Sequence, residues 1–109
     1  MPRQALIILT ESMFYVLMAL RQGPMCGIDV ADFIDRHTAG RVQVGPATLY
    51  TILGKFVQEK WIREVEVAGR KRTYQITDRG NKAYEQEWER LRRMLADAGH
   101  AQEEAAHGN

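Results

Sequence analysis

The segment VGPATLYTILGKF, Val44 to Phe56, carries two threonines, a glycine and a lysine at helical spacing. If it folds as a helix, Ala47, Thr48, Thr51, Gly54, Lys55 and Gln58 share one side. Leu49, Ile52, Leu53, Phe56 and Val57 share the other. The first side offers hydroxyl donors, one positive charge, small residues and no acid. Those groups suit close approach to a polyanion, since the major groove of B-DNA admits one helix whose outward side chains are small or able to donate. Tyr50 stands at the edge of this stripe, where its phenol reaches toward a phosphate. Arg41 and Gln43, just ahead of the helix, complete the candidate contacts on this side. Taken alone, the same face also reads as a merely solvated one.

Arg70, Lys71 and Arg72 weigh against the solvated reading. They crowd three positive charges at the turn AGRK and the start of RTYQIT, which with WIREVEV predicts two short strands joined by a tight loop. No core requires charge there, and mutual repulsion opposes it. One hairpin after a groove-shaped helix, such a tip fits phosphate or minor-groove contact.

The elements that position these groups are legible from their punctuation. Thr10 and Glu11 cap a first helix, SMFYVLMALRQ, which is apolar on more than one side and ends at Gly23-Pro24. A second helix spans roughly Gly27 to Arg36, with Ile28, Ala31, Phe33 and Ile34 predicted inward and Asp29, Asp32 and Asp35 outward. TAGRVQV reads as a loop. Gly45-Pro46 opens the third helix, because proline at the first helical position gives up an N–H that has no partner there. Thr77 and Asp78 cap a last helix running to about Ala98, and Gly80 in its first turn implies a close backbone approach. The order helix, helix, helix, hairpin predicts a mainly α (α+β) chain with a winged helix-turn-helix over residues 1–77. Residues 78–98 form a dimerisation helix, and 99–109 are expected to be a disordered tail.

Bulk composition excludes more than it assigns. The chain has 109 residues, 45% hydrophobic and 27% charged, with a formal net charge of +1. The charge is unevenly spread. Residues 1–35 carry two basic and four acidic groups, 36–82 ten basic and four acidic, and 83–109 three basic and six acidic, giving −2, +6 and −3. The basic middle third contains the candidate helix, and a local patch of this kind attracts polyanions whatever the net charge. No apolar run is long enough to span a membrane, and the Leu6–Leu9 run is too short for a signal-peptide core. The lone Cys26 permits no internal disulfide and suits a reducing cytoplasm. It has no base at a recognisable spacing, no ligand cluster suggests a metal, and no glycine-rich phosphate loop occurs. Neither an enzyme nor a cofactor is expected. A winged-helix protein–protein adaptor is the rival class, and it has no need of Lys55 and Arg70 to Arg72 on one surface.

From Glu11 to about Leu95 the sequence resembles the PadR family of bacterial transcriptional regulators, in a short form with one C-terminal helix. The resemblance lies in GPMCGIDVADFI at 23–34, VGPATLYTILGKFVQEKWI at 44–62 and GRKRTYQITDRG at 69–80. Ile28 stands where many members have tyrosine, and Glu59-Lys60 where many have Glu-Gly. The resemblance implies a dimeric, repressor-type protein that binds double-stranded DNA, with some members responsive to small aromatic or lipophilic molecules.

The last helix supports pairing independently. Tyr84, Trp88, Leu91, Leu95 and Ala98 step by alternating fours and threes, an a/d seam. A homodimer would pack this seam against the partner's first helix through Met13, Phe14 and Leu17. Two recognition helices would then meet successive major grooves of a pseudo-palindrome. Trp88, with Phe14, is also the candidate site for a flat hydrophobic effector, although a buried anchor at an interface is the plainer role for an indole there.

Overall fold

The computed structural model describes residues 8–65 and 72–107. Thr10 starts helix α1 (Glu11–Leu20) as expected: its hydroxyl accepts from the Met13 amide at 3.1 Å. After Gly23, whose φ of +144° favours glycine, comes a two-residue strand β1 (Met25–Cys26), then α2 (Gly27–His37) and α3 (Pro46–Gln58). A hairpin of β2 (Ile62–Val65) and β3 (Thr73–Ile76) leads into α4 (Asp78–His107). Strand β3 lies between β1 and β2, antiparallel to both, with Met25 opposite Tyr74 and Ile62 opposite Ile76. The expected hairpin is thus part of a three-stranded sheet, and the architecture is a winged helix-turn-helix with a long C-terminal helix.

One core joins the first three helices to the sheet. Val16, Leu17 and Leu20 of α1 meet Val30 and Ile34 of α2, Leu53 and Phe56 of α3, and Ile62 of β2, all essentially excluded from water. Side chains of this size contribute about 1.5–3 kcal/mol each on burial. Trp61 closes the core beside Phe56, with ring centroids 5.2 Å apart.

Two inward assignments fail. Ile28 is 66% exposed, because the buried stripe of α2 runs through Gly27, Val30, Phe33 and Ile34, and Ile28 falls outside it. Val57 is also exposed; the buried side of α3 ends with Phe56, as the chain turns through Lys60 into β2. Lys60 takes φ +63°, left-handed backbone that glycine adopts more readily.

The root of α4 is fixed by backbone contacts. The Thr77 hydroxyl donates to the carbonyls of Lys60 (2.7 Å) and Trp61 (2.9 Å) and accepts from the Gly80 amide at 3.1 Å. A Cβ on Gly80 would fall 2.1 Å from the Trp61 carbonyl oxygen, so the close approach expected at this glycine is real. Beyond, α4 continues to His107, where a disordered tail was expected after Ala98. Ala98, Ala101, Glu103, Glu104, Ala105 and Ala106 are strong helix formers, and extending an existing helix needs no new nucleus. The expectation of disorder rested on missing apolar anchors, which propagation does not require.

Glycine substitutions separate these environments. Gly80→Ala should cost roughly 1–3 kcal/mol or more by overpacking. Gly54→Ala, exposed with nothing within 4 Å of its added Cβ, should gain about 0.5–1 kcal/mol. Urea denaturation of both proteins checks the contrast. Hydrogen bonds from Arg92 and then Arg93 hold Glu89 down to about 2. Its folded pKa is depressed, so this contribution to α4 is present above about 4.5 and is lost as pH falls toward about 2. Following the Glu89 carboxyl by NMR titration should place its midpoint in the lower part of that range.

Candidate nucleic-acid interface

The buried stripe of α3 (Leu49, Ile52, Leu53, Phe56) turns its other side fully outward. Ala47, Thr48, Thr51, Gly54, Lys55 and Gln58 are all exposed. Thr48, Thr51, Lys55 and Gln58 step by three, four and three, a stripe about 15 Å long at 1.5 Å per residue. Neither threonine hydroxyl nor the Lys55 ammonium has a hydrogen-bond or ion-pair partner among the described residues. The helix contains no acid, and its opening residues Gly45 and Pro46 bring no capping side chain. This face is therefore small, uncommitted and positive at its C-terminal end.

Tyr50 is half-exposed and leans onto α2. Its Oη would lie 2.5 Å from a Cβ on Gly27, so the absent side chain is what lets the phenol rest there. Tyr50 thus joins α3 to the start of α2 while presenting one edge to solvent.

Arg41 and Gln43 are already engaged. The Arg41 guanidinium donates to the Tyr15 hydroxyl at 2.8 Å and to Glu11 at 3.3 Å, and the Glu11 contact leads the causes that raise its pKa. Gln43 donates to Asp35 at 3.3 Å. Both side chains brace the loop between α2 and α3, so a contact with a ligand would require each to exchange a partner. In the wing, Arg72 faces Glu64 across the hairpin at 3.5 Å and is largely exposed. Arg70 and Lys71 lie outside the described residues.

The candidate dimer residues divide. Leu17 is 0% exposed and Met13 is buried, both in the chain's own core, so neither is available to a partner; this corrects the expectation drawn from their apolarity. The α1 helix is apolar on most sides because it packs against α2, α3, α4 and the sheet within one chain. Phe14 stacks on Tyr84 at 4.7 Å with planes 3° apart, so these two also meet within the chain. Farther along α4 the seam is largely open among the described residues: Trp88 is 51% exposed, Leu95 74%, and Leu91 only partly buried. Met94, exposed beside them, was absent from the a/d pattern because it falls one residue off it. The paired effector candidates are not stacked on one another, since Phe14 meets Tyr84 while Trp88 lies one turn beyond.

Among the described residues no group of His, Cys, Asp and Glu could hold a metal ion, and no helix is long and apolar enough to cross a membrane. Residues 16–86 match the transcriptional regulator PadR-like family, and the chain belongs to that family, one of regulators rather than enzymes. No curated protein matches the sequence.

Solved structures share the fold. A transcriptional regulator from Clostridium thermocellum is 24% identical, with a TM-score of 0.66 over 78% of this chain and 89% of that one. A PadR-like regulator from Bacillus cereus is 19% identical, with a TM-score of 0.69 over 84% and 90%. Bacillus subtilis PadR, solved in complex with operator DNA, is 22% identical, with a TM-score of 0.59 over 69% of this chain and 45% of that one.

Gly27→Ala should push the Tyr50 phenol off α2 at a cost of about 1 kcal/mol. A shifted Tyr50 ring resonance in the NMR spectrum, with the other three tyrosines unchanged, is the expected outcome.

Proposed function

We propose that this regulator acts as a homodimer on a pseudo-palindromic duplex DNA operator, with α3 in the major groove and the wing against the backbone. The observation that carries the reading is the uncommitted outer stripe of α3. Thr48 and Thr51 donate to bases or phosphates, Ala47 and Gly54 let the backbone approach, Lys55 meets a phosphate, and Tyr50 contacts the groove edge. Arg72, with Arg70 and Lys71, supplies the wing's phosphate contacts. Arg41 and Gln43 enter the interface only by exchanging their present partners, so they contribute less. The operator DNA bound to Bacillus subtilis PadR supports the choice of ligand.

Pairing rests on Trp88, Leu91, Met94 and Leu95, which leave an apolar strip of α4 in water unless a second copy covers it. In the dimer each subunit presents one α3 to grooves about one helical turn apart. Repression of transcription by operator occupancy is the role the family resemblance supports. A flat hydrophobic effector sandwiched at Trp88 near the dimer axis would release the protein.

Electrophoretic mobility shifts across a salt series test the interface. Binding should weaken steeply with salt, because each phosphate contact releases counterions. Lys55→Ala and Arg72→Ala should each lower the slope by roughly one. Thr48→Ala and Thr51→Ala should instead change sequence preference, at about 1–3 kcal/mol per lost base contact. Binding that ignores salt, or alanine at 55 and 72 without effect, would favour a protein partner over DNA.

A further inference from the structure

Where α4 leaves the domain, one side chain at the C-terminal cap of α1 grips three residues of α4. The Arg21 guanidinium donates to Asn81 Oδ1 at 2.9 Å, pairs with Glu85 at 3.6 Å, and lies over the Tyr84 ring, 4.4 Å from its centroid. Residues 81, 84 and 85 are i, i+3 and i+4, so they form one patch on a single helix face. Phe14 stacks on the same ring at 4.7 Å. Phe14 and Arg21, the C-cap residue of α1, are seven residues apart and both contact the one Tyr84 ring. The Tyr84 hydroxyl makes no hydrogen bond among the described residues, so the ring acts through its faces.

From this arrangement we infer that Arg21 and Tyr84 are positioning residues that set the angle of α4 on the domain, and thereby the operator half-site spacing that a dimer accepts. The spacing part rests on the dimeric, DNA-binding reading proposed above; the angular part does not. The Thr77 and Gly80 contacts pin the first turn of α4, and Ala83 packs against the core just beyond it. The second turn is where a pivot is resisted, and there the grip is a cation, a stacked ring and a hydrogen bond. An Arg over an aromatic face and a stacked aromatic pair are each favourable contacts that hold their geometry. The lever beyond is long. From Tyr84 to His107 the helix extends about 34 Å, so a few degrees at the clamp become ångströms at the far end.

The angle is read by electron–electron distance measurements between spin labels at Gln58→Cys and Glu104→Cys in a Cys26→Ala background. Labelled chains are diluted into excess unlabelled protein, so that only pairs within one chain report. The parent and Tyr84→Phe should give one narrow distribution. Arg21→Met, a surface change that leaves the core intact, and Tyr84→Leu should broaden or shift it. In parallel, wild-type binding is compared on duplexes whose half-sites are moved by single base pairs. The two variants should lose about fivefold or more of the spacing preference while keeping single half-site affinity, the low end for coupling between two sites. Distributions as narrow as the parent's and centred at the same distance in both variants would overturn the clamp. A wild type that is monomeric or ignores duplex DNA would overturn the dimeric operator reading and the spacing role, while the label distances still decide the angle.

Discussion

Everything presented by this molecule is referred to the junction at which α4 meets the wing. There the missing Cβ of Gly80 admits the Trp61 carbonyl, and the Thr77 hydroxyl bridges two successive carbonyls of the β2 lead-in. Trp61 in turn packs on Phe56 of α3. A helix that reaches out of the domain and a helix that faces outward are thereby tied through one backbone segment. Backbone contacts of this kind tolerate little, because no rotamer change can relieve a clash with a carbonyl oxygen.

Helix α1 is the second organiser, and it explains why its apolar surface is so wide. Val16, Leu17 and Leu20 belong to the core, while Phe14 and Arg21 hold α4. Such a helix reads in sequence as one with surface to spare, and Met13 and Leu17 were accordingly expected at a dimer contact. The sheet and the neighbouring helices consume that surface within one chain. On α4 the large apolar residues that stay exposed among the described residues lie farther out, at Trp88, Met94 and Leu95.

Much of the fold was legible because its signals are local: Thr10 and Thr77 as caps, Pro46 at a helix start, and the period of α3 that separated Leu49, Ile52, Leu53 and Phe56 from Thr48, Thr51 and Lys55. Strand β1 was not legible, since two residues carry no period and pair only because β3 passes beside them. The engagement of Arg41 with Glu11 and Tyr15 was equally hidden, for it joins residues 26 and 30 positions apart. Arg21 stood at the end of α1 with no pattern to mark it; its partners are 60 or more positions away. Side-chain pairings across elements are decided by packing geometry, which periodicity does not encode.

The account stands on paired α3 helices reading duplex DNA. Selecting bound duplexes from a random-sequence pool with the full chain tests this most directly. An enriched inverted repeat, with half-site centres about one helical turn apart, is the result the account requires. A pool that stays random, or one that converges on a lone unrepeated half-site, would contradict it.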